Sequence, residues 1–148
     1  TAELGAGVVT GILFTFSNFV MRALAELPPE HGMFAMQRIH QVIINPIFLM
    51  LFLGTPLGCL FLIIGTLSDP GATGSGLLLA GATVYLVGPF GITMRFNLPL
   101  NDKLATALPA EAGAIWPGYQ RQWQFWNHLR SVLGLVGVLL LAWGLAVV

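Results

Sequence analysis

The sequence predicts an all-α membrane protein, a bundle of four transmembrane helices in up-down-up-down order, from three observations. The 148 residues are 56% hydrophobic and 8% charged, with a mean hydropathy of +0.83, so little polar surface is available for a soluble domain. Four apolar segments each approach the ~20 residues that cross a bilayer core as a helix. All Lys and Arg residues lie at or between the same ends of these segments. Residues 1–148 are therefore expected to form one integral membrane domain with lipid as its partner.

The four apolar segments are residues 5–20, 47–66, 76–94 and 129–148. The first segment is too long for the core of a signal peptide and lacks a small-residue cleavage site, so we expect a retained helix. Because the chain begins at Thr1 rather than at Met, we also expect that a few residues precede it.

The basic residues predict the orientation. Residues 22–38 and 95–130 hold every Lys and Arg, whereas the second connection, residues 67–75, holds only Asp69 as a charged residue. By the positive-inside rule, the first and third connections are cytoplasmic and both termini lie on the outer side. Residues 96–119 form the longest non-apolar stretch, so the third connection is predicted to be long and packed against the bundle.

The second segment is longer than a membrane requires. As one helix, residues 33–67 would span ~50 Å, against a core of ~30 Å. Its first part, residues 33–45, mixes polar and apolar residues and is expected to lie at the interface as an amphipathic helix. Pro46 predicts a kink, with Asn45 pairing nearby backbone groups.

Polar side chains from all four segments lie near the predicted cytoplasmic boundary. Amide and charged groups avoid lipid, so they are expected to turn toward one another, toward water or toward a ligand. Arg130 interrupts an apolar helix, where an unsolvated charge costs ~2.5 kcal/mol or more. A buried carboxylate, a phenolate-like ligand or Asp102 would offset that cost. The candidate site residues are Phe14, Asn18, Arg22, His40, Asn45, Arg95, Phe96, Asn97, Asn101, Trp123, Trp126, Asn127, His128 and Arg130.

Purely structural roles compete with a site for several of these residues. Arg22, Arg38 and Arg121 are also explained as anchors that extend to the membrane interface. Asn97 and Asn101, which flank a proline, are also explained as groups that pair the backbone where a helix ends.

The residue pattern assigns no cofactor. Cys59 is the only cysteine and lies in an apolar run, which excludes a disulfide framework and a CxxC redox pair. No third His or paired carboxylate completes a zinc or facial-triad iron site. His40 and His128, both on predicted helices, are candidate axial ligands of a haem. The net charge of zero, with acids interleaved among the bases, argues against a nucleic-acid partner.

Three strings of the sequence resemble the anthrone-oxygenase-like family of four-helix integral membrane proteins. They are FTFSNFVMRALAELPPEHGMFAMQRIHQVIINPIFLMLFLGT (residues 14–55), NLPLNDKL (97–104) and WQFWNHLR (123–130). The likeness covers almost the entire chain. In fungal members the family's activity is the conversion of polyketide anthrones to anthraquinones with dioxygen. The resemblance to bacterial members of this family implies the inner membrane of a bacterium.

The resemblance implies a small hydrophobic aromatic ligand, anthrone- or quinone-like, at the cytoplasmic end of the bundle. An anthrone enolate can reduce dioxygen directly, so the protein needs only a base, donors for the oxyanion and a dry aromatic slot. We assign His128 as the base. Arg130, Arg95 and Asn127 are the expected oxyanion donors, and the slot is formed by Trp123, Trp126, Phe96 and Phe14.

Two other functional classes stay open at this point. One is a haem- or quinone-binding membrane protein, and the other is a non-catalytic bundle whose polar end only closes the helices. Gly54 and Gly58, at small-xxx-small spacing, are compatible with packing inside the chain or with a homo-oligomer.

Overall fold

Four long apolar helices and one short amphipathic helix make up the fold. The computed structural model describes residues 2–148. The expectation that a few residues precede Thr1 lies outside this part of the chain. The helices are α1 (Ala2–Ala25), α2 (Pro29–Ile43), α3 (Pro46–Ser68), α4 (Ser75–Ala105) and α5 (Pro109–Ala146). The fold is 89% helix, without a strand in the described part of the chain. All helices except α2 are long and apolar enough to cross a membrane, as predicted.

The ends of the bundle show the predicted up-down-up-down order. Ala2, Asp69 and Val148 line one cavity, which places both ends of the described chain and the second connection at the same end of the bundle. At the opposite end, the side chain of Gln37 in α2 donates to the carbonyls of Leu104 (2.8 Å) and Ala107 (3.1 Å). Helix α2 therefore covers the end where the third connection lies.

Helices α2 and α3 are separated at the predicted position. The side-chain Oδ1 of Asn45 accepts a hydrogen bond from the Phe48 N–H (3.1 Å), and its Nδ2 donates to the carbonyls of Val42 and Ile43 (3.1 and 3.2 Å). Asn45 thus caps α3 and pairs the last carbonyls of α2. Pro46 occupies the first turn of α3, where its missing N–H removes no helical hydrogen bond.

The long third connection between the apolar segments is helix rather than loop. Helix α4 continues to Ala105 and α5 begins at Pro109, so nearly all of residues 96–119 are helical. Hydropathy shows where a helix leaves the membrane, but a helix with polar residues can continue beyond that point. Trp116 and Tyr119 are buried against the Met33 face of α2, so this region is packed as expected.

Helices α1 and α4 each contain π-helical turns, in which an N–H bonds the carbonyl five residues earlier. They lie at Phe16–Val20, where Met21 donates to Phe16, and at Leu86–Asn97, where Leu98 donates to Thr93. Such turns widen the helix and are frequent at functional sites. Both face the same stretch of α5, as the contacts below show.

Close packing of α4 on α5 depends on small residues. Gly81 lies against Leu141, and Gly144 lies against Leu78, at distances that leave no room for a β-carbon. Gly134 of α5 lies against Thr10 of α1. The outer faces of the long helices expose large apolar side chains such as Phe61 and Trp143, as a bilayer solvent requires.

Candidate functional site

Arg130 lies at the centre of a polar cluster between α1, α4 and α5, with only 5% of its surface exposed. Its Nε and Nη2 donate to Oδ1 of Asn127 (3.0 and 2.8 Å), and Nη1 donates to the Thr93 hydroxyl (2.6 Å). Its Cζ lies 5.2 Å from the centroid of the Trp123 ring. These partners are uncharged, and no carboxylate of residues 2–148 lies within ion-pair distance. The cluster therefore contains a buried positive charge without an internal counter-charge.

Asn127 connects Arg130 to α1. Its Nδ2 donates to the Leu13 carbonyl (2.9 Å) and to the Ser17 hydroxyl (2.7 Å). The Ser131 hydroxyl donates to the Asn127 carbonyl (2.7 Å), and its oxygen lies 3.3 Å from Oγ of Ser17. Since Ser17 accepts from Asn127 and the Ser131 proton is engaged, the Ser17 O–H is the donor left for Ser131 or for a ligand.

A groove of about 730 Å³ opens between α1 and α5 beside this chain of hydrogen bonds. Its volume lies in the ~300–1,000 Å³ range of small-molecule pockets. Because both walls are membrane-spanning helices, the groove opens toward lipid. Its polar end is formed by Ser17, Asn18, His128 and Ser131, and the rest of its lining is Gly7, Thr10, Gly11, Phe14, Val132, Leu135 and Val138.

A second polar network lies between α2, α4 and α5. Oδ1 of Asn101 accepts hydrogen bonds from the Tyr119 hydroxyl (3.1 Å) and from Nε1 of Trp123 (2.9 Å). The Tyr119 hydroxyl also lies 3.5 Å from Nε2 of His40. Burial, and to a smaller extent the positive charge of Arg130, lowers the pKa of His40 to about 4. The His40 imidazole is therefore neutral at pH 7.

Trp123 joins the two networks. Its ring lies beside the Arg130 guanidinium and its indole N–H bonds Asn101. Its backbone carbonyl accepts from Nδ2 of Asn97 (3.2 Å), while the buried Oδ1 of Asn97 has no hydrogen-bond partner among the described residues. The predicted site residues that come together here are His40, Asn97, Asn101, Trp123, Asn127 and Arg130. Those that line the groove are Phe14, Asn18 and His128.

Three predicted polar site residues belong to neither group. Asn45 is a helix cap, and Arg22 and Arg95 are exposed, with the Arg95 guanidinium 5.3 Å from the neighbouring Phe96 ring. Arg22 and Arg95 do not turn toward the buried cluster, because the membrane interface itself can solvate exposed groups. Asp102 is also exposed, and it is not the partner of Arg130.

Phe96 and Trp126, expected to wall an aromatic slot, stack on each other instead. Their ring centroids are 3.6 Å apart with an interplanar angle of 6°, and Phe125 packs edge-on against Trp126. The two rings fill the space between them, so no slot opens there.

The two candidate haem ligands do not face each other. His40 lies beside Tyr119, and nine residues of helix, or two and a half turns, separate Tyr119 from His128. The two imidazoles are therefore on opposite sides of α5. Among residues 2–148 there is also no group of three or more His, Cys, Asp or Glu that could hold a metal ion. Haem ligation stays a prediction, which a Soret absorption band in purified protein would support.

The sequence did not point to Ser17, Thr93, Tyr119 or Ser131. Hydroxyl residues in membrane helices commonly bond the carbonyl four residues earlier, as Thr83 does, so the residue type alone is uninformative. The spacing of Ser131 four residues after Asn127 was a usable indication. For Ser17 and Thr93 no such indication exists, because both lie in π-helical turns. Such a turn changes the direction in which the following side chains point, so the spacing in the sequence does not show which residues share a face.

Comparison with known proteins adds an independent observation. A family model described as anthrone oxygenase matches residues 45–140, which cover α3, α4 and most of α5. The searches of curated proteins and of solved structures found no match to this chain. The matched range is well over half of the chain and includes Thr93, Asn127 and Arg130. The chain therefore belongs to the anthrone oxygenase family.

Proposed function

We propose that this protein is a membrane-embedded oxygenase that binds a flat, enolisable aromatic ketone of the anthrone type in the groove between α1 and α5. The observation that supports this most is the hydrogen-bond chain from Arg130 through Asn127 to Ser17. It links a buried positive charge to a hydroxyl at the polar end of an apolar groove. Family membership supports the oxygenase class.

The proposed reaction needs little from the protein besides proton transfer and charge stabilisation. The reaction consumes one O₂ and converts the CH₂ group of an anthrone to a carbonyl group. One oxygen atom of the O₂ enters the product and the other leaves as water. Loss of a proton from the CH₂ group gives an enolate, with negative charge on the ketone oxygen. The enolate then passes one electron to O₂. A base, a donor for the oxyanion and exclusion of water suffice for these steps.

The groove supplies these functions from one end. His128, at the polar end, is the proposed base. The Ser17 O–H, which is oriented by the Asn127 amide, is the proposed donor to the enolate oxygen. Arg130 acts through Asn127 and does not touch the substrate. This assignment replaces the expectation that Arg130, Arg95 and Asn127 donate to the oxyanion directly.

Oxygenation of an anthrone by the purified protein in lipid nanodiscs tests the proposal, with formation of the anthraquinone followed by absorbance and corrected for spontaneous oxidation. His128→Gln is expected to lower kcat about 100-fold or more, as loss of a general base does. Ser17→Ala, which removes one oxyanion donor, is expected to lower it ~100-fold.

Matched controls come from groups outside the groove. His31→Gln changes an exposed imidazole, and Thr15→Ala removes a hydroxyl of α1 that bonds the Gly11 carbonyl. Both are expected to leave turnover unchanged. Unchanged turnover in His128→Gln would refute the base assignment, and a wild-type rate equal to the spontaneous rate would refute the proposed function.

A further inference from the structure

Arg130 keeps hydrogen-bonding capacity that the protein does not use. A guanidinium has five N–H donors in a fixed planar arrangement. The contacts to Asn127 and Thr93 engage one donor on each of Nε, Nη1 and Nη2. One N–H on Nη1 and one on Nη2 are left without a partner among the described residues, in a side chain that is 5% exposed.

The charge of Arg130 is also left without compensation. Buried charges in proteins are ordinarily paired, because desolvation of an isolated ion costs several kcal/mol. Asp102 is exposed, and Glu3 and Asp69 line the cavity at the opposite end of the bundle. The described part of the chain therefore provides hydrogen bonds to the guanidinium but no anion.

One further buried polar atom lies on the side of Trp123. Oδ1 of Asn97 lacks a hydrogen-bond partner among residues 2–148, while Nδ2 of the same side chain donates to the Trp123 carbonyl. Unpaired polar atoms at buried positions are typical of sites that hold ordered water or a ligand.

We propose that Arg130 binds a monovalent anion through the remaining N–H groups of Nη1 and Nη2, whose other N–H groups bond Thr93 of α4 and Asn127 of α5. The anion is either a free inorganic ion or the carboxylate of an organic molecule, since both accept hydrogen bonds from two adjacent N–H groups. This site is additional to the proposed function, in which Arg130 acts only through Asn127 and the substrate lies in the groove.

Thermal unfolding of the full chain in a neutral detergent tests this proposal at constant ionic strength and pH 7. Nitrate, chloride or benzoate replaces gluconate, whose hydroxyl groups exclude it from an apolar interior. A ligand that binds only the folded state raises Tm in a concentration-dependent manner. We expect a rise of several degrees with nitrate or chloride if the anion is inorganic, and with benzoate alone if it is an organic carboxylate.

The variants separate binding at Arg130 from general salt effects. Arg130→Met is expected to abolish the anion-dependent rise and, in gluconate, to be at least as stable as the wild type because an unpaired buried charge is removed. Arg121→Met, on an exposed position of the same helix, is expected to keep the full response.

A second variant keeps the test decisive if Arg130→Met does not fold. Thr93→Asp places a carboxylate where the Thr93 hydroxyl now accepts from Arg130, so it should supply the anion internally and remove the response. The proposal is overturned if none of the anions raises Tm in the wild type, or if Thr93→Asp responds as the wild type does.

Discussion

At the residue scale, Asn127 is the side chain on which the candidate site depends. Its amide is buried, with the oxygen facing Arg130 and the nitrogen facing Ser17 and the Leu13 carbonyl. Only a group with both an acceptor and a donor can make these contacts. The sequence places Asn127 and Arg130 three residues apart on one predicted helix, but only the structure shows their partners on α1 and α4.

His40 gives a prediction of pH dependence at the same scale. Its pKa in the folded protein is about 4, below the ordinary value of about 6.5. Between these values the unfolded chain binds a proton that the folded protein does not bind, so the free energy of unfolding falls as pH is lowered from 6.5 to 4. The slope of this contribution is at most about 1.4 kcal/mol per pH unit.

Tm measured from pH 7 to pH 4 in detergent checks this prediction. His40→Gln should flatten the part of the profile between pH 6.5 and pH 4. His31→Gln, whose ring is exposed, should retain the wild-type profile. Identical profiles in His40→Gln and the wild type would contradict a buried neutral imidazole.

At the element scale, local sequence chemistry explains where each helix begins and ends better than it explains how each helix is rotated about its own axis. Pro46 and Asn45 predicted the break between α2 and α3, because both act on neighbouring backbone groups. The π-helical turns at Phe16–Val20 and Leu86–Asn97 were not predicted. A widened turn changes which residues face a neighbouring helix, and no residue type in these stretches specifies it.

Docking of α2 on the bundle gives a prediction about Gly32. A β-carbon at this position would lie 2.7 Å from the Leu24 carbonyl oxygen and 2.9 Å from Nε1 of Trp116. Gly32→Ala is therefore expected to lower the free energy of unfolding by about 1–3 kcal/mol, as overpacking does. Thermal or denaturant unfolding in detergent measures the change.

Gly113→Ala is the matched control, because a β-carbon there meets nothing within 4 Å. It replaces a helical glycine by a better helix former and should raise stability by up to about 1 kcal/mol. Equal effects of the two substitutions would show that α2 does not pack on α5 as described.

At the scale of the whole molecule, the arrangement of the four spans leads to a prediction of orientation. Both termini and the second connection share one end of the bundle, and α2 with the third connection occupies the other. All Lys and Arg residues lie at or between the helix ends on the side of α2. The positive-inside rule therefore predicts that α2 faces the cytoplasm.

Cysteine labelling checks the orientation in intact bacterial cells. Thr73→Cys in the second connection should react with a membrane-impermeant maleimide, whereas Asp102→Cys near the end of α4 should react only after the membrane is disrupted. Both positions are exposed, and the native Cys59 is fully buried, so the wild-type protein serves as the unlabelled control. The reverse pattern of labelling would show the opposite orientation.

The sequence by itself determined the membrane class, the four spans, the separate α2 and the helix that carries the buried arginine. These follow from hydropathy and from local backbone chemistry, which add up along the chain. Only the tertiary structure decided that Ser17 and Thr93 meet Asn127 and Arg130, and that His128 faces the groove between α1 and α5. The physical reason is that such contacts depend on how each helix is rotated, and packing and π-helical turns set that rotation.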